Sequence, residues 1–138
     1  MSDNDESAIT RLLYRYARAV DTKDWDLYRS VFTDDAVIDY SAHGIDAGSR
    51  EQITEYMSET FSAGVAMSMH YITNVEIELD GDAATVRAMF YNPTQLVFLK
   101  HLSYFGGYYF HDLVRTADGW RSRHLREEAM WSENGPRG

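Results

Sequence analysis

Apolar residues recur at Ile9, Leu12, Leu13, Tyr16 and Val20, the i, i+3, i+4, i+7 spacing of a helix that buries one stripe. The pattern predicts a first helix ending near Val20, preceded by a flexible acidic lead-in over residues 1–6 with Asp5 or Ser7 available as a cap. Asp21-Thr22 offers capping side chains to a short second helix, in which Trp25, Tyr28, Val31 and Phe32 fall at helical intervals. Thr33-Asp34-Asp35 reads as a turn, and Ala36 to Ser41 alternates, with Ala36, Ile38 and Tyr40 on one face. After a glycine-bearing loop from His43 to Gly48, Ser49-Arg50-Glu51-Gln52 matches a capping box. The helix that follows carries Ile53, Tyr56, Met57 and Phe61 on one side.

The period then changes to two. A small-residue loop, Ser62 to Ser68, precedes a β-rich run from His70 to Leu79, and Asp80-Gly81-Asp82 is a hairpin turn signal. Strands follow from Ala83 to about Leu99, from Leu102 to Arg115 through Gly106-Gly107, and from Trp120 to about Trp131, leaving a tail over residues 132–138. Pro93 implies a bulge or an unpaired edge position, since proline cannot donate to a ladder. His70 and Ile72 share one parity while Val75, Ile77 and Leu79 have the other, which predicts a β-bulge near Thr73-Asn74. Helices followed by a strand meander imply one α+β domain over residues 1–138, a curved antiparallel sheet wrapped around helices.

Composition narrows the function. A chain of 138 residues, 44% hydrophobic with ten Tyr, six Phe and three Trp, can bury a core large enough to enclose a small ligand. A net charge of −9 argues against nucleic acid and against anionic membrane surfaces. No apolar run approaches the ~18 residues of a membrane span, and the acidic first residues lack the layout of a signal peptide. The absence of cysteine removes disulfides, thiolate metal sites and a cysteine nucleophile, and fits a cytoplasmic location.

Candidate chemistry begins at the end of the first helix. Tyr16 lies within the apolar stripe and Asp21 at its shoulder, either as the polar end of a pocket or as ordinary core and cap residues. His70 opens the strand whose parity shifts, and an imidazole is a base near neutral pH. The spacing of His43, His101, His111 and His124 does not form a metal-ligand motif, so no metal is expected. Whether His111, Arg123 or Arg126 enters a pocket is left open by the pattern. Aromatic and Met residues, Phe90 and Phe105 among them, read mostly as core with some at a pocket mouth.

The element order α-α-β-α-ββββ, with A-V-D-T-K-D-W-D leading to V-F-T-D-D-A-V-I-D-Y, resembles the SnoaL-like branch of the nuclear transport factor 2 superfamily. Within that family, D-x-K-D-W-D at Asp21 to Asp26 and I-D-Y at Ile38 to Tyr40 are similar to scytalone dehydratase. M-H-Y-I-T-N at Met69 to Asn74 is similar to hexachlorocyclohexane dehydrochlorinase, and Y-x-x-x-V-D at Tyr16 to Asp21 to bile-acid 7α-dehydratase. The resemblance implies a cone-shaped fold with an internal apolar pocket, and an Asp–His dyad of Asp21 and His70 as catalytic residues, aided by Tyr16. It implies Tyr40 as a substrate-binding residue, to which the chain's own strand positions add Phe90, Tyr109 and Arg126 as candidates, with Arg123 an equal candidate to Arg126. It further implies no cofactor, a small apolar cyclic substrate and a homo-oligomer, dimer or trimer.

The chain also departs from these relatives. Pro93-Thr94 stands where scytalone dehydratase has a histidine after the proline, Gly107 and Tyr109 stand where it has serine and asparagine, and Tyr16 replaces the lysine of the dehydrochlorinase. The implied activity is a cofactor-independent dehydratase acting on a hydroxy-carbonyl compound of steroid, polyketide or aromatic type. An isomerase or polyketide cyclase using the same dyad, or a non-catalytic small-molecule-binding or assembly module, is the alternative.

Overall fold

A computed structural model describes residues 2–136. Helix α1 (Ser2–Asp21) carries the expected stripe, with Ile9, Leu12, Leu13, Tyr16 and Val20 all buried against the sheet. The lead-in expected to be loose is helical from Ser2, and Met1 lies outside the described residues. Asp5 explains why: its carboxylate accepts both Arg115 guanidinium nitrogens, at 2.9 and 3.0 Å, and the Trp120 indole N–H at 3.3 Å. A bidentate charged pair of this kind holds the first turn to the far end of the sheet.

Helix α2 (Trp25–Arg29) is capped by Asp24, whose side chain accepts from Leu27 N at 3.1 Å. The cap expected at Asp21-Thr22 is therefore displaced, because Lys23 takes a left-handed turn (φ 57°) between the helices. Asp21 is left to bond elsewhere. Strand β1 (Phe32–Asp39) absorbs the expected turn at Thr33–Asp35 through a register irregularity between Phe32 and Val37. A 3₁₀ turn (Ser41–His43) and β2 (Gly48–Ser49) lead into α3 (Arg50–Gly64). The capping box there forms as expected, Ser49 Oγ accepting from Gln52 N at 3.1 Å and Gln52 Oε1 from Ser49 N at 3.0 Å.

The expected loop at Ser62–Ser68 is instead the end of α3 followed by β3 (Val65–Ser68). Strands β4 (Tyr71–Asp80), β5 (Ala83–Leu96), β6 (Ser103–Thr116) and β7 (Gly119–Glu133) form the meander. The seven-stranded sheet runs β2-β1-β7-β6-β5-β3, with β4 also paired to β5. One pair is not antiparallel: β1 lies parallel to β7, an arrangement that needs a long connection, supplied here by the intervening chain. The tail begins later than expected, since β7 reaches Glu133 and Asn134 Nδ2 donates to the carbonyls of His101 and Leu102.

The handover between β4 and β3 positions the site. On β5, Tyr91 pairs with Tyr71 of β4 and Thr94 pairs with Ser68 of β3, so Pro93 falls between the two partners. Pro93 O accepts from Met69 N at 3.0 Å. A residue with an N–H would return that bond to Met69 O. Here Asn92 Nδ2 makes it instead, at 3.0 Å. His70 sits in the gap so defined. Beyond it, β4 shifts register between Thr73 and Glu76, and Asn74 has φ 50°, the bulge that the parity change predicts.

Candidate active site

Asp21, the last residue of α1, faces His70 across the gap between β3 and β4. Its Oδ1 is 2.6 Å from His70 Nδ1, and its Oδ2 accepts from His70 backbone N at 2.8 Å. Ser68 Oγ donates to Oδ1 at 2.8 Å. A carboxylate can only accept, so Nδ1 carries the proton and Nε2 is left as the ring's acceptor. Both side chains are largely buried, 9% exposed for His70 and 21% for Asp21. The two bonds from one carboxylate to ring and backbone fix the rotation of the imidazole as well as its tautomer. Ser68 and Asn92, which complete this network, carry no sequence signal of their own. Only the displaced ladder bond at Pro93 reveals why an asparagine stands there.

His70 lines a partly open cavity of about 300 Å³ together with Tyr16, Tyr40, Phe90, Asn92 and Tyr109. The hydroxyls of Tyr16 and Tyr40 lie 2.5 Å apart, and that of Tyr28 is 2.8 Å from Tyr40. Burial pushes the Tyr16 phenol well up, reinforced by the negative charge of Glu127, and burial likewise raises Tyr28, Tyr40 and Tyr109. These phenols stay protonated and serve as hydrogen-bond donors. Phe90 and Tyr109 stack at 4.6 Å and form a flat apolar wall. The structure therefore brings Asp21, His70, Tyr16, Tyr40, Phe90 and Tyr109 to one place.

Arg126 is the exception and corrects the expectation for it. Leu125 and Glu127 face inward on β7, so the alternation turns Arg126 to the outer face. There its guanidinium lies 4.2 Å over the Phe110 ring and 3.4 Å from Glu128. Arg123 lines a separate open groove of about 630 Å³ with Glu78, Asp80 and Asp112. His111 is buried behind Tyr16 and does not line the cavity; burial lowers it to about 3, and its Nδ1 is 2.8 Å from Ser122 Oγ.

Glu127 occupies the position in the cavity wall that Arg126 was expected to fill. It is 8% exposed, and its Oε2 is 2.8 Å from His43 Nε2. The hydrogen bond to Glu127 raises His43 from its ordinary 6.5 against the opposing effect of burial. Strict alternation from Leu125 would have placed Glu127 inside. His43, in a 3₁₀ turn, had no periodic signal. Among the described residues no group of three or more His, Cys, Asp or Glu side chains is arranged to hold a metal ion.

A sheet curled around three helices, with a polar-poled cavity inside, defines a small-molecule pocket fold. The chain belongs to the SnoaL-like domain family, whose model matches residues 2–126. An uncharacterized protein of Mycobacterium tuberculosis is 35% identical over 121 residues, spanning 86% of this chain and 80% of that one. A Novosphingobium aromaticivorans structure, provisionally described as an aromatic ring hydroxylase, is 30% identical over 94% of this chain and 92% of its own, with a TM-score of 0.86. Another from that species, provisionally described as scytalone dehydratase, superimposes with a TM-score of 0.90 over 100% of this chain and 94% of its own. At 17% identity that match shows the fold alone. No helix among the described residues is long and apolar enough to cross a membrane.

Proposed function

We propose that this protein is a cofactor-independent lyase that removes water from a small cyclic hydroxy-carbonyl compound. The observation that carries this reading is the 2.6 Å contact of Asp21 Oδ1 with His70 Nδ1, on a ring that lines the cavity. His70 Nε2 takes the proton from the carbon beside the substrate carbonyl, and Asp21 stabilises the imidazolium as it forms. Tyr16 donates to the carbonyl oxygen while it carries enolate charge and Tyr40, bonded to Tyr16 and Tyr28, supports it from behind, roles suited to phenols that burial keeps protonated. The C–H electron pair becomes the new C=C bond as the C–O bond breaks. The proton held by His70 returns to the departing hydroxyl, which leaves as water. Without a leaving group the same residues would move a proton along an enolate, so an isomerase or cyclase is the second reading.

About 300 Å³ lies at the lower end of ligand-pocket sizes. The test is turnover of a panel of cyclic β-hydroxy ketones by the wild type and His70→Ala. The variant should lose at least ~100-fold in kcat/KM while its thermal melt stays cooperative. Turnover unchanged by the substitution removes His70 as the base.

A further inference from the structure

The pole of the cavity away from the dyad is an acceptor. Glu127 lies on β7, three strand positions across the sheet from β3. Among the described residues, His43 is the one hydrogen-bond partner of the Glu127 carboxylate, at Oε2. Among the described residues no Lys or Arg lines the cavity. A second polar group is also short of a partner: Thr94 Oγ1 lines the same cavity, is buried, and has no hydrogen bond among the described residues. A buried carboxylate with one bond is costly, and a ligand that donates to it recovers part of that cost. A ligand carboxylate placed on Glu127 would instead face like charge, and a ligand carbonyl would have no proton to donate.

We propose that Glu127, held by His43, makes the cavity select a neutral ring compound carrying a hydroxyl donor at the end remote from its carbonyl. The hydroxyl donates to Glu127, the ring lies against the Phe90–Tyr109 wall, and the carbonyl end turns toward His70. Thr94 Oγ1, on β5 opposite Ser68 of the dyad network and able to donate or accept, completes the polar contacts at the carbonyl end. The cavity's own phenols display the same electrostatics, since the Glu127 charge adds to the burial that keeps Tyr16 and Tyr109 protonated. This inference rests on the cavity being the substrate site, as in the function proposed above. It does not require the dyad to be catalytic.

The test is binding by calorimetry of three probes, 4-hydroxyacetophenone, 4-methoxyacetophenone and acetophenone. Wild type should bind the hydroxyl compound about 10- to 100-fold more tightly than the methoxy compound, the range expected for a hydrogen bond to a charged group. Glu127→Gln should compress that ratio several-fold and leave acetophenone affinity unchanged. A readout in the wild type alone guards against a misfolded variant. At a pH where the free phenol is half ionised, the bound compound should lose its phenolate absorbance, because a phenol beside a carboxylate keeps its proton.

Equal affinity for the hydroxyl and methoxy probes overturns the proposal. So does binding as phenolate, or no binding of any probe at millimolar concentration. The same measurements on His70→Ala separate the two readings. A preserved hydroxyl preference with no elimination activity in any form sinks the lyase alone, and elimination without the preference sinks this inference alone.

Discussion

Single side chains set the chemistry, and two of the histidines set opposite pH dependences. His111, lowered to about 3 by burial, stays neutral in the folded protein while its unfolded counterpart protonates below about 6.5. Its contribution to stability is therefore lost as pH falls from about 6.5 toward 3, at up to about 1.4 kcal/mol per pH unit. His43 has the opposite sign. Its pKa is raised in the folded state, so the stability from its pairing with Glu127 is present below 6.5 and fades as pH rises through the raised value. Urea unfolding between pH 4 and 8 should show His111→Leu flattening the acid limb and His43→Gln flattening the other. Asp21→Asn should lower turnover at least ~100-fold by leaving His70 in the wrong tautomer, read as kcat at fixed pH. Asp21 and His70 were legible in the sequence through short motifs, whereas Glu127 needed the strand alternation applied one residue further than Arg126.

Elements carry the next set of consequences, and the glycine pair of β6 is the clearest. Tyr71, Tyr91, Gly106 and Trp131 are cross-strand partners in one row over β4, β5, β6 and β7. The missing side chain of Gly106 lets the Trp131 indole lie over it and stack 6.1 Å from Tyr91. A Cβ on Gly107 would overlap the Glu128 backbone carbonyl, where β6 and β7 shift register. Gly107→Ala should therefore cost about 1–3 kcal/mol in denaturant unfolding, since a backbone cannot step aside. Gly106→Ala should cost less, because the half-exposed Trp131 can swing away. Alternation made the long strands readable. The split of β3 from β4 was not, because it depends on β5 changing partners at Pro93.

Across the whole molecule, the outer sheet face is unusually apolar for an acidic chain. Met69, Tyr71, Met89, Tyr91 and Trp131 are all between 36% and 47% exposed, and Tyr104 stacks on Tyr91. Aromatic rows of this kind on a solvent face mark interfaces. A second copy of the chain is the expected occupant. Light scattering at micromolar concentration should give a mass at a multiple of 15.9 kDa, and Tyr91→Glu with Trp131→Glu should reduce it to the single chain. A wild type already at 15.9 kDa refutes the interface.

The sequence alone determined the helices, the strand meander, the capping box, the parity break and hence the α+β class, because each depends on neighbours a few residues apart. Which polar groups meet was decided by the tertiary structure, the sequence having implied the Asp21–His70 pair through its resemblance alone and the His43–Glu127 pair not at all. Asp21 and His70 are 49 residues apart, and His43 and Glu127 are 84 apart. Their pairing depends on strand register, on the curl of the whole sheet, and on the left-handed turn at Lys23 that frees Asp21 from capping a helix. Those are sums over many contacts, and no local pattern contains them.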